Sequence, residues 1–297
     1  MIIGHLKQRN FLKKIIENSS LSDAYLFAGP DFLGKKTLAL EFLENNFQLK
    51  ENHPDLLMVK PEPEKNEIHI SQIRQITEFL GLKPYSAKYK AVVIDEADKM
   101  NGEAQSCLLK TLEEPKGDST LFLISSKPAM LFGTIRSRVQ RFDFSNLSDK
   151  EMRNYFKGKV NRDVFEKFIF LSDGKPGKAI EFLKDPEKFN FYLEILANFP
   201  KLINSNAGPR FKFLKEKVQG REDEFLTIFL KYLRLILLDS SDPQGRMKMN
   251  EVHRLSSVGQ FDPVKIKKII EFAQEIKFLI AETNINKNLA LETLFLF

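Results

Sequence analysis

The sequence predicts an α/β region followed by an all-α region, and three observations carry that expectation. Short apolar runs, Ala24-Tyr25-Leu26-Phe27-Ala28, Leu56-Leu57-Met58-Val59 and Ala91-Val92-Val93-Ile94 among them, alternate with helical spacings up to about residue 145. The first run delivers directly into Gly29-Pro30-Asp31-Phe32-Leu33-Gly34-Lys35-Lys36-Thr37 and then Leu38-Ala39-Leu40-Glu41-Phe42, a strand, a glycine loop and a helix in succession. Beyond Phe189 no alternating strand pattern occurs, only helical spacing.

Taken in order, residues 4–18 place Leu6, Phe11, Leu12, Ile15 and Ile16 at a spacing that predicts a helix with one buried face. After the glycine loop, residues 48–67 are polar and punctuated by Pro54, Pro61 and Pro63, with Leu56-Leu57-Met58-Val59 reading as a strand inside them. Residues 71–82 carry Ile73, Ile76, Phe79 and Leu80 at helical spacing and feed the strand at Ala91. A helix-like segment, Leu108-Leu109-Lys110-Thr111-Leu112-Glu113-Glu114-Pro115, precedes a second apolar strand over 120–124 that runs into Ser125 and Ser126. Thr134-Ile135-Arg136-Ser137-Arg138 follows, and Phe142-Asp143-Phe144 closes a strand.

Ser148-Asp149-Lys150-Glu151 is a capping box that opens a new helix, which sets a boundary near residue 145. Residues 171–179 link two further helices, and Asp185-Pro186 starts the next. The helical spacing of the last third breaks at 204–209 and 240–245; Asp262-Pro263 caps a long amphipathic helix to about residue 280, and residues 288–297 form a final apolar helix. The abundant phenylalanines are core by default, with a subunit interface as the alternative for an exposed cluster.

Length and composition bound the rest. A chain of 297 residues suits two or three domains and buries an ample core. The single cysteine, Cys107, forms neither an internal disulfide nor a cysteine-rich zinc site and reads as a core residue. His5, His53, His69 and His253 lack ligand spacing, so no metal cluster is assigned. No signal-like apolar segment opens the chain, and the most apolar later run is broken by Lys231 and Arg234, which points to the cytoplasm and away from a membrane. A net charge of +6 permits association with a polyanion without requiring it.

The glycine loop carries the chemistry. The pattern G-x-x-x-x-G-K-[ST] aims backbone N–H groups and a helix N-terminus at phosphate oxygens, with the lysine as a point charge. Gly29, Gly34 and Lys35 fit it, but Lys36 stands where a hydroxyl would ligate Mg²⁺, and an ammonium has no lone pair to offer. Thr37 does not simply replace that hydroxyl, because one step along a helix turns a side chain by about 100°. Unit charges about 4 Å apart repel by roughly 4 kcal/mol at an effective dielectric of about 20, so Lys36 is expected to swing away from a bound dication. Phe32 adds bulk inside a loop that wraps phosphates closely. Two readings follow: a nucleotide loop, and a strand-to-helix turn kept for packing that binds no triphosphate productively.

Asp95 and Glu96 end the strand at Ile94, where a P-loop site holds its metal through one acid and polarises water with the next. Alone the pair is a weak signal, since acids often cap helices after strands.

Along essentially its whole length the chain resembles the AAA+ clamp-loader subunits. The resemblance rests on Ala24-Tyr25-Leu26-Phe27 before Gly29-Pro30, on Lys90 with Ile94-Asp95-Glu96-Ala97-Asp98-Lys99-Met100-Asn101, on Leu108 to Pro115, on Thr134 to Arg138, and on Asn288-Leu289-Ala290-Leu291-Glu292. It implies a RecA-like AAA+ P-loop domain with a parallel sheet over 1–145, a small helical lid over 146–188 and a helical collar over 189–297 through which subunits assemble. It also implies partners: gamma- or tau-like motor and delta-like subunits in a heteropentamer, a sliding clamp, and primed DNA. Carried over residue by residue, Lys35 is the phosphate lysine, Asp95 and Glu96 the second-strand acids, Ser125 a polar sensor, and Arg138 an arginine acting in trans on a neighbour's ATP.

Departures from the family pattern sharpen the expectation. Val139 replaces a cysteine, Gly177 stands where the lid's nucleotide-sensing arginine belongs, and the usual zinc module is missing. With Lys36, these favour a non-hydrolysing subunit that completes a loader ring and lends out Arg138, whereas the intact Asp95-Glu96 pair keeps ATP or ADP binding open, with Mg²⁺ only alongside nucleotide and no zinc. The rival is a self-sufficient gamma-type loader ATPase; a third reading is a DNA-binding helical protein on a dead P-loop scaffold.

Overall fold

The computed structural model describes residues 2–63, 65–240, 262–283 and 285–296. Five strands, β1 (Ala24–Ala28), β2 (Leu56–Val59), β3 (Lys90–Ile94), β4 (Ser119–Ser125) and β5 (Gln140–Asp143), form one parallel sheet in the order β2-β3-β4-β1-β5. Strands β1, β3 and β4 are buried along their whole length, which is why they read as continuous apolar runs instead of alternating ones.

Successive side chains of a strand point to opposite faces, and here each face meets its own helices. Tyr25, Phe27, Val93, Phe122 and Phe142 pack with Leu12 and Ile15 of α1 (Leu6–Glu17) and with Leu38, Phe42 and Leu43 of α2 (Lys35–Phe47). Leu26, Val92, Ile94 and Leu123 pack on the other face with Ile73 and Ile76 of α3 (Ile70–Gly81), Leu108 of α4 (Gly102–Glu113) and Ile135 of α5 (Gly133–Arg136). The first face is aromatic: Tyr25 stacks on Phe122 at 5.0 Å, and Phe27 meets Phe122 and Phe142 edge-on at 5.4 Å each. Each such pair contributes about 0.5–1.5 kcal/mol beyond its buried area. Cys107 is half-buried against the second face, in keeping with a packing role.

The buried face of α1 is narrower than its spacing predicts. Leu6 is 63% and Phe11 47% exposed, whereas Leu12 and Ile15 are buried. At about 100° per residue, Leu6 and Phe11 lie some 120° and 100° round the helix from Leu12, off the stripe that meets the sheet. Phe11 still touches the edge of the aromatic layer, 5.3 Å from Phe142.

After β5 the chain is helical throughout the described residues. The helices are α6 (Asp149–Phe156), α7 (Arg162–Ser172), α8 (Pro176–Lys184), α9 (Pro186–Asn204), α10 (Ala207–Phe213), α11 (Glu222–Ser240), α12 (Pro263–Glu282) and α13 (Lys287–Leu294). Their starts follow the predicted caps. The Ser148 N–H donates to Glu151 at 2.9 Å while the Glu151 N–H donates to the Ser148 hydroxyl at 3.3 Å. Asp185 and Asp262 each accept a backbone N–H at 2.9 Å, from Lys188 and Val264. The predicted break at 204–209 separates α9 from α10; the break at 240–245 and His253 lie largely or wholly outside the described residues.

The chain divides into two compact units, Met1–Tyr155 with Gly174–Lys178, and Phe156–Asp173 with Ala179–Phe297. In the second, Phe168, Phe182, Phe199 and Phe225 are fully buried, and Phe199 lies 5.1 Å from Tyr232 in a stacked pair. Phe278 is 66% exposed and does not join that core.

Candidate functional site

Because β3, β4 and β1 lie side by side and parallel, their carboxyl ends deliver Asp95, Ser125 and Gly29 to one edge of the sheet, where α/β folds place their ligands. The loop leaving β1 is tightly built. Gly29 has φ 144°, and a Cβ there would stand 2.2 Å from the Phe144 carbonyl, so no other residue fits. Phe32 takes a left-handed conformation at φ 65°, unusual for a bulky side chain, and points half-exposed out of the loop. Gly34 caps α2, aiming the helix N-terminus at a cleft of about 240 Å³ lined by Asp31 to Thr37, Asp95, Glu96, Ile124, Ser126 and Gly177.

Lys35 is buried and donates to the Gly29 and Pro30 carbonyls at 2.5 and 2.7 Å. Burial pushes its ammonium below the usual lysine value, opposed by the Asp31, Asp98 and Asp95 carboxylates. Thr37 is exposed at the cleft wall.

Lys36 reaches across the cleft: its Nζ lies 3.3 Å from Asp95 Oδ2, with the two side chains 39% and 23% exposed. The expected repulsion concerns a bound dication; without one, the carboxylate across the cleft is the counterion of Lys36. Asp95 also accepts the Glu96 N–H at 3.2 Å. Glu96, in a left-handed conformation at φ 51°, is paired with Lys99 at 2.5 Å. An Mg²⁺ ion requires oxygen ligands at about 2.0–2.1 Å in octahedral array. The hydroxyl position is filled by an ammonium and Asp95 is already neutralised by it, so these residues do not fit that metal. Among the described residues no other group of His, Cys, Asp or Glu is placed to hold one.

Ser125 is brought to the sheet edge but not into the cleft. It is buried, its hydroxyl donates to Asp98 Oδ1 at 2.6 Å, and it accepts the Lys127 N–H at 3.2 Å. Ser126, whose N–H also reaches Asp98 at 2.9 Å, lines the cleft in its place. Gly177 closes the loop from above: its N–H donates to the Phe32 carbonyl at 2.7 Å, and a Cβ there would stand 2.7 Å from the same oxygen. An arginine at 177 is therefore incompatible with this loop conformation.

Arg138 stands apart from the cleft lining. Its Nη2 pairs with Glu113 Oε1 at 2.8 Å and its Nη1 donates to the Thr134 carbonyl at 3.1 Å. Asp98, Glu113 and the Gly177–Phe32 contact are the parts of this arrangement that the sequence reading did not single out. For Asp98 and Glu113 the available signal was membership of the same motifs as Asp95 and Leu108 to Pro115.

This arrangement, a parallel sheet of order β2-β3-β4-β1-β5 with a glycine loop after β1 and acids after β3, is a RecA/AAA+-like fold. Residues 4–148 match the family described as DNA polymerase III, delta subunit. DNA polymerase III subunit delta' of Pseudomonas aeruginosa is 32% identical over 133 residues, 39% of this chain and 40% of that protein. Its counterpart in Bacillus subtilis is 27% identical over 222 residues, 68% of this chain and 66% of that protein. The matches thus span between about two fifths and just under two thirds of those relatives. In fold, the chain is similar to a DNA polymerase III gamma subunit-related protein of Thermotoga maritima, with TM-score 0.61, 24% identity and 97% of each chain covered. Over the matched residues the chain is similar to the DNA polymerase III delta and delta' subunits.

Proposed function

We propose that this chain is a delta-prime-like, non-hydrolysing clamp-loader subunit that completes a heteropentameric ring with gamma- or tau-like motor subunits and a delta-like subunit, in the cytoplasm. In this reading 1–145 is the P-loop domain, 146–188 the lid and 189–297 the collar. The ring loads a sliding clamp on primed DNA. The chain's own loop, Gly29, Gly34, Lys35, Lys36 and Thr37 with Asp95, holds ATP or ADP without turnover, and Glu96 is vestigial. Arg138 reaches the ATP of the adjacent subunit.

The observation that carries the reading is the position of Arg138, outside its own cleft and partly open to solvent, while Lys36 occupies the metal side of that cleft. A guanidinium so placed is available to a second chain, where it stabilises charge on a transferring phosphoryl group. In a reconstituted complex, Arg138→Ala is expected to leave assembly intact and to slow turnover at the neighbouring site by about 10³- to 10⁵-fold. Lys35→Ala is expected to leave turnover unchanged. Unaltered turnover with Arg138→Ala removes the residue from the mechanism; ATP hydrolysis by the purified chain that Lys35→Ala abolishes establishes the gamma-type alternative, which the Asp95-Glu96 pair favours.

A further inference from the structure

We propose that Lys36 is the resident cation of this cleft: its ammonium neutralises Asp95 in place of a divalent metal, so the cleft takes a polyphosphate metal-free. The proposal rests on the reading of the loop as a phosphate site and adds what charge the ligand brings with it. Lys36 is the second residue of α2, and its side chain crosses from the loop to the end of β3, where Nζ lies 3.3 Å from Asp95 Oδ2. The other Asp95 oxygen accepts the Glu96 N–H at 3.2 Å, and the Glu96 carboxylate is taken by Lys99. Both acids that a metal would draw on are thus engaged by cations or amides of the chain itself.

A lysine at this position has three donors and no lone pair, so it excludes the metal as a ligand and opposes it as a charge. For a phosphate the sign is the reverse. Lys35 and the N-terminus of α2 supply positive charge to one cleft, while the Lys36–Asp95 pair removes the carboxylate's repulsion of a bound di- or triphosphate, a repulsion that a metal ordinarily offsets.

The test uses the full-length chain with ADP and Mn²⁺ as probes, by titration calorimetry and electron paramagnetic resonance. Wild-type chain is expected to bind ADP equally, within about twofold, in chelator and in Mg²⁺, and to hold no Mn²⁺ in the cleft. Lys36→Thr should lose about tenfold in metal-free ADP affinity, and gain Mn²⁺ binding that a further Asp95→Asn change abolishes. Lys36→Gln should show the loss without the gain, with circular dichroism confirming that each variant folds. Wild-type ADP affinity that rises tenfold with Mg²⁺, wild-type Mn²⁺ binding that Asp95→Asn removes, or a folded Lys36→Thr that gains no Mn²⁺ overturns the proposal alone. Failure of the wild-type chain to bind ADP in either condition overturns the phosphate-site reading with it.

Discussion

Arg138 is held by Glu113, the last residue of α4, with Nη2 and Oε1 2.8 Å apart. The pair joins the two motifs Leu108 to Pro115 and Thr134 to Arg138 on one surface, and it keeps the guanidinium extended and oriented by a second bond to the Thr134 carbonyl. Both side chains are partly exposed, so the pair is worth only about 0.2–1 kcal/mol. An arginine that serves another chain must leave this partner first. Glu113→Gln is therefore expected to leave the urea unfolding midpoint nearly unchanged. It should raise ATP turnover of a reconstituted complex by up to about fivefold, since about 1.4 kcal/mol corresponds to tenfold. A fall in turnover would instead make Glu113 a positioning residue for Arg138.

Gly177→Ala tests the contact that closes the loop. The new Cβ meets the Phe32 carbonyl at 2.7 Å and the Phe32 Cα at 3.0 Å, both backbone atoms, so the loop itself must shift. A cost of about 1–3 kcal/mol is expected, with faster amide exchange over residues 30–36. Gly133→Ala is the control: nothing stands within 4 Å of its Cβ and its φ is not in the left-handed region, so it should change stability by less than about 0.5 kcal/mol. Equal effects of the two changes would mean that the Phe32 contact constrains nothing.

The fold is legible in the sequence where burial is two-sided. Ala24 to Ala28 and Ala91 to Ile94 are apolar at every position because both faces of β1 and β3 are covered, and the caps at Ser148, Asp185 and Asp262 name their helices before any packing is known. The site is less legible, because a motif states which groups are present and not which group each one faces. Lys36 illustrates this: its charge predicts repulsion from a metal, and only the placement of Asp95 across the cleft turns the same charge into a pair. Gly177 reads as a missing arginine, whereas the close approach of the Phe32 backbone shows why no side chain fits there.

Asp55 predicts a pH dependence. It is buried and accepts the N–H groups of Tyr85, Ser86 and Ala87 at 2.6, 2.9 and 3.0 Å, pinning the loop that leads into β3. Burial pulls its carboxyl upward, but the three amides outweigh it and hold the group below the ordinary carboxylate range. The folded value lies below the unfolded value of about 3.9, so the stabilisation is complete above that pH and is lost as pH falls through the folded value. Asp55→Asn should cost about 1–3 kcal/mol near neutrality. The gap to wild type, followed by urea unfolding, should stay level down to about pH 5 and close in stronger acid. A gap that widened in acid would contradict this assignment.

Ser125 gives the sharpest contrast between a role carried over from a resemblance and one read from geometry. As a sensor, its hydroxyl would face a ligand, and removing it would weaken nucleotide binding. In the structure that hydroxyl is buried and donates to Asp98 Oδ1 at 2.6 Å, a charge-assisted bond that leaves the cleft to Ser126. Asp98 retains only the Ser126 N–H among these two donors when Ser125 becomes alanine. Ser125→Ala is thus expected to cost about 1.5–3 kcal/mol of stability, the range for a bond to a charged group. ADP affinity, measured well below the unfolding midpoint, should change by less than about twofold. Ser126→Ala, which keeps both bonds to Asp98, should do neither. A tenfold loss of ADP affinity in Ser125→Ala with unchanged stability would restore the sensor role and require the hydroxyl to turn from Asp98 to the ligand.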